Sequence, residues 1–216
     1  MSWTLHYANA NNQFGNLIEP ISRALERAER NVEAHMPAIN LDVVVQAWPG
    51  QVIPELGHVG YAPTGTMMQL TFDPANNNLR SHLGEALERM IVHEFHHVMR
   101  WRGPGYGNTL GEALVSEGLA SQFVKQLYDS PPEPWEAALT RSELANHVDF
   151  FDRHWDDKRY GHARCFFGAG DLPRWLGYSF GYELVSSALV DMQATPSALV
   201  HEPAASFRPS LQGMRR

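Results

Sequence analysis

The chain has 216 residues, 44% of them hydrophobic and 19% charged, an ordinary globular composition rather than a disordered or fibrous one. A chain this long can bury its own core without a structural metal or disulfides, so a metal, if present, is expected to be functional. The net charge of −7 argues against a nucleic-acid partner.

The single cysteine, Cys165, excludes an internal disulfide and predicts a reducing, cytoplasmic location. Its neighbours Phe166 and Phe167 make it a buried, inert thiol rather than a nucleophile. The N-terminal residues lack the basic start and apolar run of a signal peptide. No stretch approaches 18 continuous apolar residues, so no membrane span is predicted. Arg100, Arg102, Arg215 and Arg216 read as solvated or helix-end charges.

Trp3–Tyr7 reads as a short strand. From Phe14 to Met36 apolar residues recur at helical spacing (Leu17, Ile18, Ile21, Ala24, Leu25, Ala28, Val32), and Pro37 closes that helix. Valine-rich Leu41–Trp48 predicts a strand, and Val59–Ala62 a second. Thr66–Phe72 alternates as a half-buried strand does and ends at Asp73-Pro74. Beyond residue 80 the pattern is helical, over roughly 82–102, 110–128, 134–154 and 173–194. The breaks are Gly103-Pro104-Gly105, Pro131-Pro132 and Gly168–Gly170. The expectation is one α+β domain over 1–216, with a mixed part (1–80) whose small sheet packs on a mainly helical body (81–216).

His93-Glu94-Phe95-His96-His97 matches H-E-x-x-H. Residues four apart share a helical face, so both imidazoles can reach one ion, and the glutamate beside the first histidine can reach a water on that ion. With 11 histidines in the chain an accidental match arises on the order of a few times in a hundred, so context must decide. On a helical wheel Leu83, Leu87, Met90, Ile91, Val98 and Trp101 form the apolar face. Glu94 falls in its middle, and His93 and His97 lie at its edge. Glu85, Glu88, Arg89, His96 and Arg100 fall on the polar side, which predicts a solvated or supporting His96. A carboxylate in an apolar stripe is costly unless compensated; a metal would compensate it, as would a core histidine or arginine.

A catalytic zinc takes three protein ligands plus water. The next helix offers Glu112 and Glu117. Thr109-Leu110-Gly111-Glu112 fits a capping box, which accounts for Glu112. Glu117 shares a face with Ala113, Ala120, Val124, Leu127 and Tyr128, an inward carboxylate that suits a ligand. Gly118 beside it would let two helices approach closely.

The spacing from His97 to Glu117 resembles the gluzincin, or thermolysin-like, branch of the H-E-x-x-H metallopeptidases. That resemblance implies a zincin-like fold, zinc held by His93, His97 and Glu117, and Glu94 as general base. Many members of that branch carry an aspartate four residues after the ligand glutamate, where this chain has Ser121. The chain also resembles the bacterial YjaZ-like predicted Zn-dependent proteases, through His93–His97, the Gly-Glu-Ala-Leu-Val-Ser-Glu-Gly-Leu-Ala run from Gly111 to Ala120, and Pro173-Arg-Trp-Leu-Gly-Tyr-Ser-Phe-Gly-Tyr182. These landmarks span about half the chain and imply a metallopeptidase acting on peptides or proteins.

An oxyanion formed in hydrolysis calls for a hydrogen-bond donor. Tyr178 and Tyr182, four apart, are candidates, and so is His162 in Tyr160-Gly-His-Ala; both tyrosines could instead be core aromatics. His147 and His154 read as surface residues. Thr66–Phe72 could be an edge strand that pairs with an extended substrate, or an interior strand. Two alternatives to a peptidase remain on sequence grounds: a zinc hydrolase of a non-peptide amide or ester, and a non-catalytic metal-bound interaction module. An intact Glu94 disfavours the latter. The oligomeric state is not legible.

Overall fold

The computed structural model describes residues 2–215 and divides into two compact units, Met1–Met99 and Arg100–Arg216. Met1 and Arg216 lie outside the described residues. In the first unit, strand β1 (Ser2–Ala8) is followed by helix α1 (Ile18–Glu33) and strand β2 (Asn40–Ala47). β1 and β2 pair in parallel, which requires a crossover, and α1 supplies it. Strands β3 (His58–Thr64) and β4 (Met67–Phe72) form an antiparallel hairpin, and β4 also pairs in parallel with β2. The sheet order is β1-β2-β4-β3.

The periodicities of the sequence place the core. Ile21, Ala24, Leu25, Ala28 and Val32 recur on one face of α1 and are all buried. On β2 the alternate residues Leu41, Val43 and Val45 are buried. Helix α2 (Glu85–Trp101) joins this unit through Phe95, whose ring stacks on Trp3 at 5.5 Å, and through a 2.7 Å ion pair between Arg27 of α1 and Glu88.

In the second unit helix α3 (Leu110–Leu127) packs along helix α7 (Leu176–Met192). A Cβ at Gly118 would collide with the carbonyl oxygen of Gly181, and a Cβ at Gly181 with that of Leu114. The close approach that Gly118 permits is therefore to α7. Around this pair lie the short helices α4 (Arg141–Ala145), α5 (Val148–Arg153) and α6 (His162–Phe167), and a 3₁₀ segment over Ala204–Arg215. Phe151, Phe180, Phe207 and Leu211 are among their buried residues.

The α+β class holds, and most predicted elements lie within a few residues of their expected bounds. Three expectations are corrected. The helix expected over 134–154 is two short helices, because Thr140 and Glu143 form a capping box that begins a new helix. The helix expected from 173 begins at Leu176, since Trp175 adopts a left-handed conformation with φ of 65°. Of the two alternatives open for Thr66–Phe72, the interior strand is the one observed, and the edge beside it is β3. The polar side assigned to α2 is absent over its second half. His96 is 0% exposed and Arg100 1%, whereas Trp101, placed on the apolar face, is 41% exposed. Arg100 satisfies its buried guanidinium with Ser116 Oγ and the carbonyls of Val200 and Glu202.

His58 on β3 is buried, and burial lowers its pKa from 6.5 to about 4. The unfolded chain takes up this proton near pH 6.5 while the folded chain resists it. The stabilisation is thus complete above pH 6.5 and is lost as the pH falls towards 4, by up to about 3 kcal/mol. Denaturant unfolding measured between pH 7 and pH 4 should show this slope, and His58→Leu should flatten it.

Candidate metal centre

α2 is buried around nearly its whole circumference from Ile91 to Arg100, and His93 alone of these residues is half-buried. One turn apart, His93 and His97 bring their Nε2 atoms to 3.1 Å, with ring centroids 4.8 Å apart. Two imidazole nitrogens bound to one tetrahedral ion at about 2.0–2.1 Å stand roughly 3.3–3.4 Å from each other. The spacing therefore fits a shared ion with little adjustment.

Glu117 of α3 completes a group that could hold such an ion. One ligand atom from each of His93, His97 and Glu117 lies within 4.8 Å of the others. Among the described residues this is the one group of three or more His, Cys, Asp or Glu donors that could hold an ion. Two imidazoles and a carboxylate suit zinc. Burial alone does not single out Glu117, since nearly all of α3 from Leu110 to Val124 is buried. Glu112 forms the capping box: its amide donates to Thr109 Oγ1, and its carboxylate accepts from the amides of Asn108 and Thr109.

Glu94 is buried, and edge strand β3 is shaped around it. A Cβ at Gly60 would overlap Glu94 Cγ and stand 3.0 Å from its Cδ and Oε1. Gly60 thus lets β3 pass close over the carboxylate.

Around Glu117 the second unit gathers a set of phenols and an imidazole. Tyr106 donates to Glu117 Oε1 at 2.6 Å. Burial and the Glu117 carboxylate push this phenol well above its ordinary pKa, and the nearby Tyr178 and Tyr160 push in the same direction. Tyr160 Oη lies 3.2 Å from His162 Nδ1, and His162 stacks on Phe166 at 4.3 Å. Burial lowers the His162 pKa, while Glu117 raises it. Tyr178 packs edge-on against Phe166. Two sequence candidates, His162 and Tyr178, therefore share the surroundings of Glu117. The third, Tyr182, lies beneath the Lys125 ammonium at 5.8 Å, and its carbonyl accepts from Gln122. Cys165 is buried and its thiol points to the Tyr160 carbonyl.

Sequence reasoning missed Tyr106, although its flanking glycines, Gly105 and Gly107, marked a turn.

An α+β chain with such a donor set defines a candidate metallohydrolase. Residues 19–208 match the family described as "Predicted Zn-dependent protease (DUF2268)", and the chain belongs to that family. It is 26% identical over 154 residues to the uncharacterized protein YjfC of Bacillus subtilis (strain 168), covering 64% of this chain and 50% of that protein. It is 28% identical over 129 residues to the uncharacterized protein YjaZ of the same organism, covering 56% and 49%. The chain thus spans about half the length of these curated relatives. No solved structure matches it significantly. Among the described residues no helix is long and apolar enough to cross a membrane.

The fit of Gly60 to Glu94 is testable by size compensation. A Gly→Ala change in an unobstructed strand stabilises by roughly 0.5–1 kcal/mol. Gly60→Ala should instead lower the thermal midpoint, and the same change in a Glu94→Ala background, which lacks Cγ, should not. Thermal unfolding of the four chains measures this.

Proposed function

We propose that the chain is a zinc-dependent metallopeptidase that hydrolyses peptide bonds in peptide or protein substrates. The observation that carries this reading is the convergence of His93, His97 and Glu117, with Glu94 adjacent to the first ligand and buried beneath β3. Zinc bound there supplies Lewis acidity that activates a water and polarises the scissile carbonyl. Glu94 takes a proton from the attacking water onto its carboxylate and delivers it to the leaving nitrogen. His162 and Tyr178, grouped near Glu117, are the donors proposed for the developing oxyanion.

β3 supports a peptide as substrate. It is an edge strand, bridged by Ile53 at His58, and it runs directly over Glu94. An extended substrate adding to that edge would bring its backbone alongside the base. Exposed Tyr61, next to Gly60, offers an apolar surface to a substrate side chain. The lone buried thiol suits a reducing, cytoplasmic setting.

Glu94→Gln keeps the shape and hydrogen-bonding capacity of the side chain but cannot accept the proton. It should retain one zinc per chain and lose at least about a hundredfold in kcat, the lower range for a general base. Metal content together with turnover of a peptide library by the zinc-loaded protein checks both halves. A loss of only a few-fold would assign the base elsewhere, and loss of the metal would make Glu94 a ligand or a structural partner of the site.

A further inference from the structure

Tyr106 sits in a loop whose shape is set by its neighbours. Gly105 has φ of 82° and Gly107 φ of 100°, both in the left-handed region that side chains avoid. Gly107 is further constrained because a Cβ there would overlap Glu112 Cβ. The loop is then tied down by Glu112, whose carboxylate accepts from the Asn108 amide at 2.7 Å and the Thr109 amide at 2.9 Å. These features deliver one side chain inward, and its phenol meets Glu117 Oε1 at 2.6 Å. That is the short range of a bond to an ionised acceptor.

We propose that Tyr106 is the positioning residue for Glu117: its phenol engages one carboxylate oxygen and holds the group in the single orientation in which it ligates. The proposal rests on the reading of Glu117 as a ligand and extends it to the residue that aims that ligand. A carboxylate with a free χ3 samples many orientations, and a phenol on one oxygen removes that freedom before the ion arrives. The capping box thereby acquires a second consequence. By binding the loop amides, Glu112 also secures the turn that presents Tyr106.

The test is zinc affinity in competition with a chromophoric chelator, read on the metal-free protein as it is loaded, with Tyr106→Phe, Glu117→Ala and the double variant. Tyr106→Phe keeps the ring and removes only the hydroxyl. It should weaken zinc binding by about 10–100-fold, the range for losing a partner that orients a ligand, while the thermal midpoint of the metal-free chain stays close to that of the parent. In the Glu117→Ala background the same change should have no further effect, because there is no carboxylate left to aim. Tyr106→Phe binding within twofold of the parent, when Glu117→Ala has lost the metal, would overturn the proposal and leave Glu117 as ligand. Undiminished binding by Glu117→Ala would overturn the ligand reading itself. A Tyr106→Phe chain that no longer folds without metal would also overturn the proposal, since the phenol would then serve the fold rather than the ligand.

Discussion

The i, i+4 spacing of His93 and His97 on a rigid helix is the constraint on which the candidate site depends. A helix places residues four apart on one face whatever surrounds it, and the buried circumference of α2 removes the rotational freedom that an exposed helix would keep. The two Nε2 atoms consequently face each other at 3.1 Å. Two neutral imidazoles in that arrangement oppose lone pairs unless one donates to the other, and a cation relieves the opposition for both. The same helix puts Glu94 next in sequence, about 100° further round the axis and beneath β3.

Each carboxylate of the site is matched by a glycine-dependent backbone feature. Gly60 lets the edge strand cross Glu94 at a distance that no side chain allows. Gly105 and Gly107 turn the loop that carries Tyr106 to Glu117. Gly118, next to Glu117, meets Gly181 and seats α3 against α7, the helix that also carries Tyr178. The glycines therefore act on the site through the approach of backbone to side chain rather than through flexibility.

How much of this was legible in the sequence follows from the range of each interaction. The H-E-x-x-H pair, the Thr109–Glu112 capping box and the periodic faces of α1 and β2 are local, and the sequence shows them directly. Glu117 was singled out by elimination: Glu112 had a capping role and Glu117 had none. The wheel that supported this assumed one solvent-facing side, and α3 has almost none. The same assumption misplaced His96 and Arg100, because whether a polar residue is buried depends on what packs over it from elsewhere in the chain. Tyr106 was invisible for a related reason. A phenol in a Gly-Pro-Gly-Tyr-Gly loop has no periodicity, and its direction depends on dihedral angles that the sequence only permits. The ordering of β3 and β4 in the sheet is likewise non-local, so the edge strand could not be assigned before the pairing was seen.

The measurement that tests the account most directly is an anomalous-scattering map, recorded at the zinc absorption edge, from crystals of the zinc-loaded protein. The account predicts one ion per chain, with Nε2 of His93 and of His97 at roughly 2.0–2.1 Å, one oxygen of Glu117 at about 2.0–2.2 Å and a fourth position open to solvent beside Glu94. An ion held elsewhere, or one at this site with a fourth protein ligand closing it, would contradict a catalytic centre built on these three residues.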